Sequence, residues 1–77
     1  MQIFIKTVTG RNLLLVIAAD TTVQQLKQKI QDKDGTLVRF QSLVYGAKPL
    51  VDEMTLGDYG VTENATIFLV LRMLGGC

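Results

Sequence analysis

The sequence predicts an α+β domain in which one helix packs across a mixed sheet. Apolar residues recur with strand period near both ends of the chain, and a single capped stretch with helical period lies between them. The 77 residues are 48% hydrophobic and 19% charged, which supplies one small core and is too apolar for a disordered segment.

The opening stretch MQIFIKTV alternates Ile3 and Ile5 with Gln2, Phe4 and Lys6, a strand pattern. Thr9 and Gly10 mark a hairpin turn, because Gly10 takes positive φ without steric cost. RNLLLVI, residues 11–17, is the return strand. Thr22 stands where a helix over VQQLKQKIQDKD needs its N-cap, and Gln25 completes a capping box. Val23, Leu26 and Ile30 fall on one face of that helix, and Gly35 reads as its C-cap. RFQSLVY, residues 39–45, is a third strand stopped at Gly46. Pro49 has no N–H for a ladder, so KPL is at best a short edge strand. TLGDYG reads as a single helical turn closed by Gly60, and ATIFLVLRM as the last strand. No linker, repeat or low-complexity tract interrupts this order.

Composition excludes several functions. Charges nearly cancel, at +1, and no basic stripe runs along a face, so nucleic acid is not an expected partner. One cysteine and no histidine cannot build an internal disulfide, a metal cluster or a Ser-His-Asp triad; neither metal, cofactor nor enzymatic activity is expected. The N-terminal stretch lacks signal-peptide features, and no apolar run approaches the roughly 20 residues that cross a bilayer. The cysteine usage fits a reducing compartment.

The second strand breaks the expected rhythm. With Leu13, Leu15 and Ile17 facing the helix, Asn12, Leu14, Val16 and Ala18 face outward, and three of those four are apolar. Phe4 sits on the same outward face of the neighbouring strand. The three side chains Phe4, Leu14 and Val16 form a second apolar patch fit for weak self-association of an otherwise monomeric domain. Both parities of this strand are apolar, so its own pattern leaves the register open.

The chain resembles ubiquitin without a gap from Met1 to Gly76. The resemblance is carried by MQIF at the start, KTVTG at 6–10, KQKIQDKDG at 27–35, TLGDY at 55–59 and LVLRMLGG at 69–76. Within it, GAKPLVDEMTLGDYGV and RMLGG look more like the ubiquitin-like half of the Fubi precursor, a fusion to a ribosomal protein. The resemblance implies a β-grasp fold, with a ubiquitin-like domain over 1–72 and a flexible tail over 73–77. It also decides the register, with odd-numbered strand residues inside. The expected core is Met1, Ile3, Ile5, Leu13, Leu15, Ile17, Val23, Leu26, Ile30, Leu43, Leu50, Leu56, Val61, Ile67 and Leu69. Lys27 is expected to be buried in an ion pair with Asp52.

The functional implications also come from the resemblance. A ubiquitin-like modifier is processed after its diglycine, adenylated, passed as a thioester between enzyme cysteines and joined to an amine. Gly75 and Gly76 are the conjugating end, and their missing Cβ atoms let enzyme backbone approach closely. Arg72 matches a residue read by the activating enzyme. Leu74, where ubiquitin has arginine, loses a partner for acidic groups. Cys77 lies beyond the processing point; it is precursor-derived, a natural extension or an added handle. Val8, Val44, Phe68 and Val70 match an apolar receptor patch, in which Phe68 stands for a histidine and Ser42 for a rim arginine. Lys6, Lys27, Lys29, Lys33 and Lys48 match chain-acceptor lysines, whereas Arg11 and Glu63 do not. Expected partners are activating, conjugating and ligating enzymes, a processing protease and receptor domains, in cytoplasm and nucleus. The alternative is a non-conjugated binding module or fusion partner acting by protein contacts alone.

Overall fold

The computed structural model describes residues 1–71. β1 (Gln2–Thr7) and β2 (Asn12–Val16) form an antiparallel hairpin, followed by the helix α1 (Val23–Asp34). A 3₁₀ turn (Val38–Phe40) leads into β3 (Gln41–Tyr45), β4 (Lys48–Pro49), a second 3₁₀ turn (Gly57–Tyr59) and β5 (Thr66–Leu71). The sheet order is β2-β1-β5-β3-β4, with β1 and β5 parallel and every other neighbour antiparallel. The expected last strand extends to Met73; its final residues, and the expected domain boundary at 72, lie outside the described residues.

The β1–β2, β1–β5 and β3–β5 pairings couple odd-numbered residues with odd and even with even, whereas the short β3–β4 pairing sets Val44 against Pro49 and Tyr45 against Lys48. Successive strand side chains alternate faces, so one parity faces inward across β1, β2, β3 and β5. Ile3, Ile5, Leu13, Leu15, Leu43, Ile67 and Leu69 are buried there, and Val23, Leu26 and Ile30 of α1 close the core from the other side. Ile17, Leu50, Leu56 and Val61 complete it. Met1 departs from the expectation. It is only half-buried, because its amino group must stay near water while it donates to the Ile17 carbonyl.

The helix start is fixed three ways. Thr22 Oγ1 accepts from the Gln25 N–H at 3.2 Å, and Gln25 Oε1 accepts from the Thr22 N–H at 3.1 Å, a complete capping box. The Val23 and Gln24 N–H groups, orphans in an isolated helix, donate to the carbonyls of Met54 and Asp52. The first turn is thereby docked on the 52–56 segment. At the other end Gly35 takes φ 84° and its N–H closes on the Gln31 carbonyl at 2.8 Å.

The third strand is shorter than its sequence pattern. Arg39 and Phe40 belong to the 3₁₀ turn, since the Phe40 N–H returns to the Leu37 carbonyl and Gln31 Oε1 accepts from the Val38 N–H. The 57–59 turn is pinned by reciprocal bonds between Thr55 and Asp58. The Thr55 N–H, then its hydroxyl, hold the Asp58 carboxyl below its ordinary pKa.

Gly46 and Ala47 both have positive φ, 61° and 65°, between the paired residues Tyr45 and Lys48. Ala47 carries a Cβ into the left-handed region, at about 1 kcal/mol. Ala47→Gly removes that strain and is expected to raise the urea midpoint, with a net gain of about 0.5–1 kcal/mol. A lower midpoint would show that the Ala47 methyl contributes more by contact than it costs in strain.

Candidate functional site

The outward, even-numbered face of the sheet is where the expected receptor patch lies. Val44 on β3 is directly opposite Phe68 on β5, and Ser42 is opposite Val70. Phe68 and Val70 lie two residues apart on one strand and so share a face. Val8, in the β1–β2 turn, borders the same shallow hollow as Phe68 and Val70. Thus four residues spread over three chain segments are brought together. Val8 is 61% and Phe68 49% exposed, and Val44 is half-buried. The parallel partner of Phe68 on β1 is Lys6, which puts one cation on the border.

The second apolar patch is also present on this face. Phe4 pairs with Leu14 and Val16 with Gln2. Phe4 is half-buried, Leu14 is 44% and Val16 75% exposed. The two patches are separated by Lys6 and by Thr66, the β5 partner of Phe4.

The five lysines divide by environment. Lys6, Lys29, Lys33 and Lys48 are exposed. Lys27 is buried, and its Nζ lies 2.7 Å from Asp52 Oδ1. The resemblance had implied that pair, and the docking of the helix start through the Asp52 carbonyl explains it. The closed fold leaves the Lys27 amine 7% exposed at the side-chain level, so acylating it requires local opening. Arg11 is bridged to Asp34 at 2.9 Å, tying the hairpin to the end of α1.

Sequence reasoning missed Gln41. It is fully buried at the start of β3, and its Nε2 donates to the carbonyls of Lys27 and Thr36, at 3.0 and 2.9 Å. Its Oε1 has no protein partner. The only sequence signal was parity, since Gln41 precedes Leu43 by two on the inward face. Leu71, 52% exposed, was not singled out either; with Thr7, Val8, Thr9, Arg11, Asp34, Thr36 and Leu69 it borders a further hollow beside the hairpin.

Arg72, Leu74, Gly75, Gly76 and Cys77, the expected conjugation, recognition and processing residues, lie outside the described residues. Among the described residues no group of three or more histidine, cysteine, aspartate or glutamate side chains is placed to hold a metal ion. No helix among them is long and apolar enough to cross a membrane.

The sequence model of the ubiquitin family matches residues 3–74. The chain belongs to the ubiquitin family. Its mixed five-stranded sheet with one main helix is the family's β-grasp fold. The chain is 32% identical over 77 residues to the NEDD8-like protein RUB3 of Arabidopsis thaliana, covering 100% of this chain and 99% of that one. It is 29% identical over 76 residues to the ubiquitin-like protein NEDD8 of Dictyostelium discoideum, covering 99% of both. It is 38% identical over 74 residues to ubiquitin-like protein 4A of Rattus norvegicus, but spans only 47% of that protein.

Proposed function

We propose that the protein is a ubiquitin-like modifier, processed after the diglycine and conjugated through Gly76 to amines on target proteins. The observation that carries this reading is extent: the chain and the two NEDD8-type relatives align over nearly their whole lengths. In this reading the protein is the substrate of its pathway and not a catalyst. A protease cleaves the Gly76–Cys77 bond. The freed Gly76 carboxylate attacks the α-phosphate of ATP and expels pyrophosphate. An enzyme thiolate then displaces AMP, and the thioester passes on until a target amine displaces the thiol. Arg72 and Leu74 are the residues assigned to recognition by the activating enzyme, with Leu74 selecting against one that reads a cation there. Conjugating and ligating enzymes complete the pathway, and its setting is the cytoplasm and nucleus. Lys6, Lys29, Lys33 and Lys48 offer exposed amines for chain building.

Receptor domains dock on Val8, Val44, Phe68 and Val70. Two of these form a cross-strand pair and three border or line one hollow, so a partner meets a contiguous apolar surface. Phe68 makes that surface free of histidine titration.

A second reading, a non-conjugated binding module, is favoured by the relation to ubiquitin-like protein 4A, in which the matched region is about half of a longer protein. The two readings separate at the tail. Incubation with ATP and candidate activating enzymes is expected to give a thiol-sensitive adduct with the chain ending at Gly76 and none with the chain ending at Cys77. Equal charging of both, or charging of neither by any of them, removes the basis of the modifier reading. The patch is tested by Val44→Ala in titration calorimetry against ubiquitin-receptor domains. An affinity loss of roughly 1 kcal/mol or more is expected if Val44 anchors the contact; an unchanged affinity places binding on another face.

A further inference from the structure

β2 lies at one end of the sheet, so one side of its backbone has no strand neighbour. Which groups point there follows from the hairpin. The Ile17 N–H donates to the Met1 carbonyl at 2.7 Å, and the Thr7 N–H donates to the Arg11 carbonyl at 2.9 Å. The pairs between them, Ile3 with Leu15 and Ile5 with Leu13, follow at a spacing of two and are hydrogen-bonded pairs of the same ladder. The odd-numbered residues of β2 therefore spend their backbone groups on β1. Asn12, Leu14 and Val16 turn theirs outward, three N–H donors and three carbonyl acceptors in alternation. The Ala18 N–H, next in that series, is already taken by Thr21 Oγ1.

Natural sheet edges are blunted by charge, proline, bulges or short length. The opposite edge follows that rule, since β4 has two residues and one is Pro49. β2 does not. Residues 12–19 contain no charged residue and no proline, and the cation adjacent in sequence, Arg11, is held by Asp34. The charges that border the strand, Lys29, Asp32 and Lys33, belong to α1 and line a hollow beside Leu14, Leu15 and Val16.

We propose that β2 is a homodimerisation edge, at which two copies of this chain pair antiparallel about a two-fold axis through Leu14. In that register Leu14 faces its own copy, and Asn12 faces Val16 in both directions. All three are hydrogen-bonded pairs, because each residue turns its backbone outward, and each pair exchanges two bonds. The six outward groups of each strand are thus fully matched by the six of the other. The same register gathers both Leu14 and both Val16 side chains on the outer face, beside Phe4, the cross-strand neighbour of Leu14. A second copy is the occupant that this edge fits. The strand is complementary to itself under the two-fold, and it carries no charge with which to select a foreign sequence. Because β4 offers no second usable edge, pairing closes at a dimer and does not run on into a fibre. The contact is smaller than the ~1,600 Å² of a standard stable interface, so the dimer forms only at high protein concentration.

Sedimentation equilibrium of the 77-residue chain, with reductant present to silence Cys77, tests this from micromolar to millimolar concentration. A monomer–dimer equilibrium with no larger species is expected. Leu14→Lys and Val16→Lys replace exposed side chains and are each expected to weaken dimerisation at least tenfold while the circular dichroism spectrum is retained. Val8→Lys, on the receptor patch and outside the pairing, is expected to leave it unchanged. Leu14→Cys in a Cys77→Ser background places two sulfurs across the axis and is expected to give a covalent dimer under mild oxidation, whereas Val51→Cys in the same background is not. A strictly monomeric chain at millimolar concentration overturns the proposal. So does dimerisation that survives both lysine substitutions, that is lost with Val8→Lys, or that cross-links as well through Val51→Cys. Capture of an unrelated extended peptide by a chain that does not self-associate overturns it in favour of a foreign strand.

Discussion

β1 is hydrogen-bonded on both sides, antiparallel to β2 and parallel to β5, and these ladders decide which side of every strand meets the helix. The pairings among β1, β2, β3 and β5 preserve residue parity, so across these four strands the inward face is odd-numbered and the outward face even-numbered; only the two-residue β4 departs from it. A slip of one residue at β2 would turn Leu13 and Leu15 to solvent and bring Leu14 and Val16 under α1. Such a slip would leave a strand of similar hydropathy, since both parities are apolar. The hairpin ends prevent it: Met1 and Ile17 exchange backbone hydrogen bonds at one end, and Arg11 bonds Thr7 at the other.

The helix inherits its position from the same frame. Its first N–H groups are satisfied by the Asp52 and Met54 carbonyls, and Lys27 reaches Asp52 one turn further along. Gln41 then links β3 to the Lys27 carbonyl and to the loop beyond α1. These contacts carry polar groups through the interior beside an apolar core. An aliphatic replacement of Gln41 would strand no buried donor on its partners but would release two carbonyls, which cost more unpaired than they gain when bonded. The outward face, by contrast, keeps large apolar side chains exposed. It carries Phe4, Leu14 and Val16 on the hairpin side and Val8, Val44, Phe68 and Val70 on the other, with Lys6 and Thr66 between them.

Local chemistry was legible in the sequence. The capping box at Thr22 and Gln25, the Gly35 stop and the Gly10 turn are each decided within a few residues, and all are found. Features set by distant partners were harder to read. Arg39 and Phe40 carry strand propensity, but the Gln31 side chain holds the preceding Val38 in a turn. Gln41 reads as an exposed polar residue unless the strand register is known. Met1 reads as core because its side chain is apolar, while its ammonium group keeps it half-buried. The register itself rested on the family resemblance, since the β2 pattern fits either face. The juxtaposition of Val44 with Phe68 likewise needed the β3–β5 pairing, which no local signal in either segment specifies. The free edge of β2 was invisible as a motif; it is a property of sheet order, and only the absence of charge from 12 to 19 hinted at it.

Because strand parity underlies the core, both patches and the free edge, amide hydrogen exchange along β2 in dilute solution tests it most directly. The fold described here predicts slow exchange at Leu13, Leu15 and Ile17, whose N–H groups face β1, and fast exchange at Asn12, Leu14 and Val16. Protection of the even-numbered amides with rapid loss at the odd-numbered ones would contradict it.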